Sequence, residues 1–205
     1  MRSYRGPNSL NLQHSQSDDT AFLGKDQIAW LKTALKESQA TWKIICADMP
    51  LGVRVTDWGT DIAENAANND HGSPLGREME IAELLSFIKQ EQIKNLHWIT
   101  ADVHYCASNH YHPDRAAFKD FHPFWEHISG PLHAGSFGPG ELDQTFGPKT
   151  VFCGVSENHR PNRPPSDPFQ FFGKIEIHSE TQKMTVSHYN SENTLLWSKQ
   201  FSPAV

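Results

Sequence analysis

This sequence is short of several things, and each shortage narrows what it can be. It has three cysteines, Cys46, Cys106 and Cys153, set far apart with no C-x-x-C pair. That excludes a disulfide framework and a zinc knuckle. Small buried apolar positions are the plainer use for them. Basic residues are outnumbered: 18 Lys and Arg against 24 Asp and Glu give a net charge of −6. No nucleic-acid-binding surface built on phosphate contacts is expected from that balance. No apolar run nears the roughly 20 residues of a membrane span. The first residues lack the charged, apolar and small-residue order of a signal peptide, so export driven by this chain's own leader is not expected. No internal repeat is visible.

What is present is histidine, 12 in 205 residues, seven of them between His97 and His133. Clustered imidazoles suit metal or acid–base chemistry near neutral pH. Only His104 stands in a pattern. The run Trp98-Ile99-Thr100-Ala101 ends in Asp102-Val103-His104-Tyr105. On an extended backbone, residues two apart share a face. Asp102 and His104 are therefore expected to project together from the end of a buried strand. A carboxylate and an imidazole presented so suit a hydrolytic metal site. A bare Asp-x-His is short and common, so its surroundings have to carry that reading.

The length allows one domain with a sizeable core. Residues 1–20 are polar, broken by Gly6-Pro7-Asn8, and read as loop. From Lys25 to Ser38, Ile28, Leu31 and Leu35 recur at helical spacing. Thr41 to Ala47 is a short apolar run of strand type, closed by Asp48-Met49-Pro50-Leu51-Gly52. Residues 56–72 are polar and irregular. Ser73-Pro74 reads as a cap and first position for a second helix reaching Glu91. Asn95 to Thr100 is the next strand, so the order is helix, strand, helix, strand, an alternating α/β signal. Residues 129–148 hold five Gly and three Pro among ordered-looking residues, a long loop of the functional kind. Phe171–His178, Lys183–Tyr189 and Leu195–Phe201 alternate, and their short connections imply an antiparallel meander.

Several ordered motifs then carry a resemblance. They are Arg2-Ser3-Tyr4-Arg5-Gly6-Pro7-Asn8, Phe22-Leu23-Gly24 with Gln27 and Trp30-Leu31, Ala40-Thr41-Trp42-Lys43, and Gly76-Arg77-Glu78. Thr100 to Tyr105, Ser129-Gly130-Pro131 with His133-Ala134-Gly135, and Asp143-Gln144-Thr145-Phe146-Gly147-Pro148 continue them. From about Arg2 to Phe201 the chain resembles the PhoD-like alkaline phosphatases, a metallophosphatase family. The resemblance implies an α/β (α+β) fold, a mixed β-sandwich flanked by helices. It implies hydrolysis of phosphate esters at a multi-metal centre, with calcium and iron as the family's pattern and other divalent metals in related phosphatases. Asp102 and His104 fall where the family's last Asp-x-His metal motif falls. The family is commonly exported, which leaves localisation open. Only the C-terminal half of the catalytic domain is matched. The other half normally brings an early aspartate, a bridging aspartate and an asparagine beside a histidine. Residues 1–205 are therefore expected to form one partial domain, truncated or split, that self-associates or pairs with a missing N-terminal half.

Further candidates have plainer uses beside the functional ones. Asp48 ends a strand and could join Asp102 and His104 as a metal ligand, or only form its turn. Arg77, near a helix start, suits bidentate phosphate binding, or an ion pair. Tyr105 could donate to a phosphate oxygen, or pack beside its strand. His133 could line the entrance from the Gly/Pro loop. Phe121, Phe124, Trp125 and Phe137 read as packing for the long loops. Two ions need close to ten donor atoms, less those from water and substrate, far more than one Asp-x-His supplies. A non-catalytic half-domain acting by binding or assembly is thus the rival to an enzyme. A single-metal hydrolase using Asp102, His104 and another histidine is a third reading.

Overall fold

The structure is a computed structural model, and it describes residues 12, 14–17, 20–56 and 63–204. The loop expected over residues 1–20 lies mostly outside that set. Two helices appear where the spacing predicts them, α1 at Lys25–Glu37 and α2 at Glu78–Gln90. Ile28, Leu31 and Leu35 are the buried stripe of α1. Ile81, Leu84, Leu85 and Ile88 form that of α2. The second helix starts five residues after Ser73, not at the Ser-Pro pair. Gly76 sits at φ 51°, a left-handed turn that a helix cannot run through, and Glu78 accepts the Leu75 N–H at 3.2 Å.

Strands β1 (Lys43–Cys46) and β2 (Leu96–Thr100) also fall where expected. Three strands between them and the meander were not anticipated: β3 (Ala107–Tyr111), β4 (Phe124–Ile128) and β5 (Pro148–Cys153). Phe124 and Trp125 therefore belong to a central strand rather than to loop packing. The five strands form one mixed sheet in the order β1-β2-β4-β3-β5. β1, β2 and β4 run parallel, and β3 is antiparallel to both β4 and β5. The meander is seen as expected: β6 (Phe171–Ile177), β7 (Met184–Asn190) and β8 (Leu195–Phe201) make a separate antiparallel sheet.

Alternation along the strands sorts the two faces. Ile45, Trp98, Tyr111 and Phe124 join the cluster that holds the buried stripes of α1 and α2. Trp42 and Ile44 join Met184, Val186, Trp197 and Phe201 of the meander. The large sheet thus has helices on one face and the small sheet on the other, an α/β sandwich. Trp42 Nε1 donates to Gln182 O at 2.7 Å, which ties the β6–β7 turn to the entry of β1. At the same end of the sheet, Asn95 and Ala204 exchange two hydrogen bonds of 2.7 and 3.2 Å.

Candidate metal centre

In an open sheet, the carboxyl ends of parallel strands are where ligands collect. β1, β2 and β4 end side by side, and backbone bonds continue the pairing past them. Ala47 N donates to Ile99 O at 2.9 Å, Ala101 N to Asp48 O at 3.2 Å, and Ser129 N to Thr100 O at 3.0 Å. Asp48 lies two residues beyond β1 and Asp102 two beyond β2. Asp48 Oδ1 accepts its neighbour's N–H, from Met49, at 3.0 Å.

Asp102 and His104 are adjacent, but not by the expected route. Asp102 has φ 70° and His104 φ 60°, so neither is extended. β2 has already ended at Thr100, and a tight loop rather than the strand's pleat gathers the pair. A left-handed non-glycine residue costs about 1–2 kcal/mol. Such residues concentrate where a site holds them in place. His104 Nδ1 donates to Gly135 O at 2.7 Å, and its ring packs edge-on to Phe137. In the neutral ring that bond leaves the lone pair on Nε2, the arrangement of a metal-binding histidine oriented by a carbonyl. Partial burial raises the Asp102 carboxyl above its ordinary range; His104 draws it down and Asp48 pushes it up. Those two opposed influences put both side chains within electrostatic reach of Asp102. Two carboxylates and an imidazole are a donor set that fits calcium, iron or zinc.

The other candidates lie elsewhere. Arg77 has no solvent-exposed surface, and its Nη1 donates to the carbonyls of Ala63, Glu64 and Asn65 at 2.8–3.3 Å. It clasps the segment before α2. Tyr105 is buried, and its hydroxyl accepts the Gly140 N–H at 3.1 Å. Burial holds its phenol well above the usual range. His133 is exposed on the loop that leaves β4, and Gln170 brackets its neighbour Ala134 with bonds of 3.3 and 2.9 Å. Of these three, only His133 stands in solvent. Cys106 is buried with its thiol pushed up to about 12, so it is inert.

One cluster was missed from the sequence. Asp70, Glu78 and Asp143 bring carboxylate oxygens within 4.8 Å of one another. They span 73 residues from Asp70 to Asp143, a discontinuous set with no motif to announce it. The Gly76-Arg77-Glu78 and Asp143-to-Pro148 stretches marked two of the three positions without linking them.

The fold is an α/β sandwich, a mixed sheet with helices on one face and a small antiparallel sheet on the other. Residues 1–188 match the family model of the PhoD-like phosphatases, and the chain belongs to that family. Among curated proteins none matches it. The solved structure of PhoD is similar at 14% identity and a TM-score of 0.49, over 98% of this chain and 44% of that one. The chain thus spans less than half the length of that protein.

Proposed function

We propose that this chain supplies one side of a metal centre that hydrolyses phosphate esters. Asp48, Asp102 and His104 would hold the metal. The observation that supports this reading is that Asp48 and Asp102 lie two residues past the carboxyl ends of the neighbouring parallel strands β1 and β2, with Asp48 and His104 both acting electrostatically on Asp102. Calcium with iron is the pairing that the family resemblance favours. A metal held there would polarise the phosphoryl oxygen and lower the pKa of bound water. The chain's own residues set the stage for it. Gly135 O fixes the His104 ring through Nδ1 and leaves Nε2 as the nitrogen that would bind a metal. Glu126, through Leu51, and Tyr111, through Gly52, hold the turn that follows Asp48. His133, exposed on the loop that leaves β4, would be free to meet an incoming ester.

Three donors do not complete two ions of roughly 4–6 ligands each. The remaining ligands come from water, substrate and another polypeptide segment. The isolated chain is therefore expected to turn over little or no 4-nitrophenyl phosphate or its diester with added calcium, iron, zinc or manganese. Supplying a segment that carries the missing ligands should produce turnover, and His104→Ala should abolish it. Full turnover by the isolated chain, or turnover indifferent to His104→Ala and Asp102→Asn, defeats the proposal. A paired complex that binds metal but never hydrolyses either ester would favour a role in binding alone.

A further inference from the structure

Glu78 opens α2 and is 1% exposed. One of its oxygens, Oε2, accepts from Asn68 Nδ2 at 2.9 Å and from Leu75 N at 3.2 Å. The other, Oε1, is buried and has no hydrogen-bond partner. A buried carboxylate oxygen without a donor is costly, more so when charged. Here the cost is compounded, because the carboxylates of Asp70 and Asp143 crowd the same space. Burial, then Asp143, push the Glu78 carboxyl up to about 9.

The surroundings are built from oxygen. Asp143 is itself buried, and its two oxygens accept the backbone N–H groups of Thr145, at 2.8 Å, and Asn69. Both of those residues keep a buried side-chain oxygen without a partner, Thr145 Oγ1 and Asn69 Oδ1. Asp70 is the exposed member, with Oδ1 accepting the Gly72 N–H at 3.0 Å. The trio therefore has an open side. It joins three segments: the turn at 69–72, the first residue of α2, and the loop whose Asp143 N donates to Gly52 O at 2.9 Å.

We infer that Asp70, Glu78 and Asp143 form a site for one hard divalent cation of calcium size, separate from Asp48, Asp102 and His104. Calcium takes oxygen ligands in a flexible shell, and carboxylates, an amide oxygen and a hydroxyl are all acceptable to it. Magnesium prefers to keep its waters and a strict octahedron, which suits three crowded protein carboxylates less well. A cation gives Glu78 Oε1 a partner and neutralises the crowding that a single proton relieves only in part. Its work is structural: it locks the start of α2 to the loop that supports the Asp48 turn.

The inference stands whether or not the chain hydrolyses phosphate esters. It is tested on the full chain after chelation, by calorimetric titration with calcium chloride and by thermal melts with and without it. One calcium per chain and a raised melting temperature are expected. Asp102→Asn with His104→Ala should leave that binding in place. Asp70→Asn, an exposed change that spares the core, should weaken it roughly tenfold or more, as loss of a charged ligand does. Glu78→Gln should do the same or worse. Calcium affinity unchanged in both Asp70→Asn and Glu78→Gln overturns the inference. So does a Glu78→Gln chain that melts higher while the unaltered chain ignores calcium, since Glu78 would then simply carry a proton.

Discussion

Glu126 shows how a single buried residue can govern this molecule. It sits on central strand β4 with no exposed surface. Its Oε1 accepts Leu51 N at 2.8 Å, and its Oε2 accepts the Tyr111 hydroxyl at 2.6 Å and Asn109 Nδ2 at 3.4 Å. The Tyr111 hydroxyl in turn accepts Gly52 N at 2.9 Å. Gly52 has no room for a side chain, because a Cβ there would meet Tyr111 Cε1 at 2.9 Å. The turn after Asp48 is thus hung from one carboxylate. Glu126→Ala leaves at least two buried donors unmatched and opens a cavity. A loss of about 3–5 kcal/mol is expected in urea melts. Glu126→Gln keeps the shape and one acceptor, and should lose less than half as much. Equal losses in the two variants would mean that packing, not hydrogen bonding, dominates there. Glu80 does similar work for α1: its Oε2 accepts the N–H groups of Phe22, Leu23 and Gly24 at 2.7–3.2 Å. That caps a helix whose own N-cap is a glycine without a side-chain bond.

Between the two sheets lies a line of buried polar side chains. His97 on β2 meets His127 on β4 at 3.1 Å, His127 meets Ser108 on β3 at 2.8 Å, and Ser108 meets His188 on β7 at 2.9 Å. Trp197 and Phe201 of β8 pack against these rings. Burial pushes His97 and His188 each down to about 4, and His127 lower still, with His97 and His188 adding to that effect. All three rings are therefore neutral in the folded chain. In the unfolded chain they titrate near 6.5. Below that pH the unfolded state binds more protons, so stability is full above about 6.5 and falls as pH drops toward 4. Each ring contributes a slope of about 1.4 kcal/mol per pH unit in that window. Urea melts at pH 7, 6 and 5 should show the decline, and His188→Gln should make it shallower. Equal stability at pH 7 and pH 5 would show that these rings accept protons in the folded state. The sandwich would then have to open locally.

At the scale of the whole molecule, β1 is one of the two ends of the sheet order, bonded to β2 alone among the described strands. α1 flanks it, and Trp30 on that helix is 61% exposed. Trp30, Leu31, Leu35, Trp42 and Ile44 line a shallow groove of about 430 Å³ along this edge. An unpaired strand beside an uncovered tryptophan is a route to association. Sedimentation at rising concentration is expected to show mass growth, which Trp30→Lys should reduce. A segment that supplies the missing ligands should compete with self-association if it docks on the same edge, and should raise the melting temperature by mass action. A monomer that stays a monomer at high concentration and ignores such a segment would mean that the fold has closed its own edge.

Local patterns were enough for α1, α2, β1, β2 and the meander, because each is an apolar stripe or an alternating run bounded by turn residues. They also marked Asp102 and His104 by spacing. They could not reveal β3 and β4, whose buried positions include Ser108, Asn109, Glu126 and His127. A polar residue reads as exposed until another strand supplies its partner, and here the partners lie 15 to 80 residues away. Arg77 and Tyr105 looked available for the same reason. Only the fold shows that carbonyls and a loop N–H already occupy them. The Asp-x-His spacing suggested a strand's pleat, whereas Asp102 and His104 both have left-handed backbone in a loop where His104 Nδ1 donates to Gly135 O. The Asp70, Glu78 and Asp143 cluster has no sequence signature at all, because its members come from three segments. What the sequence determined by itself was the two helices, the strands β1 and β2 and the meander, and it singled out one motif. The tertiary structure decided which polar groups are buried together, since that depends on long-range pairing that no local period encodes.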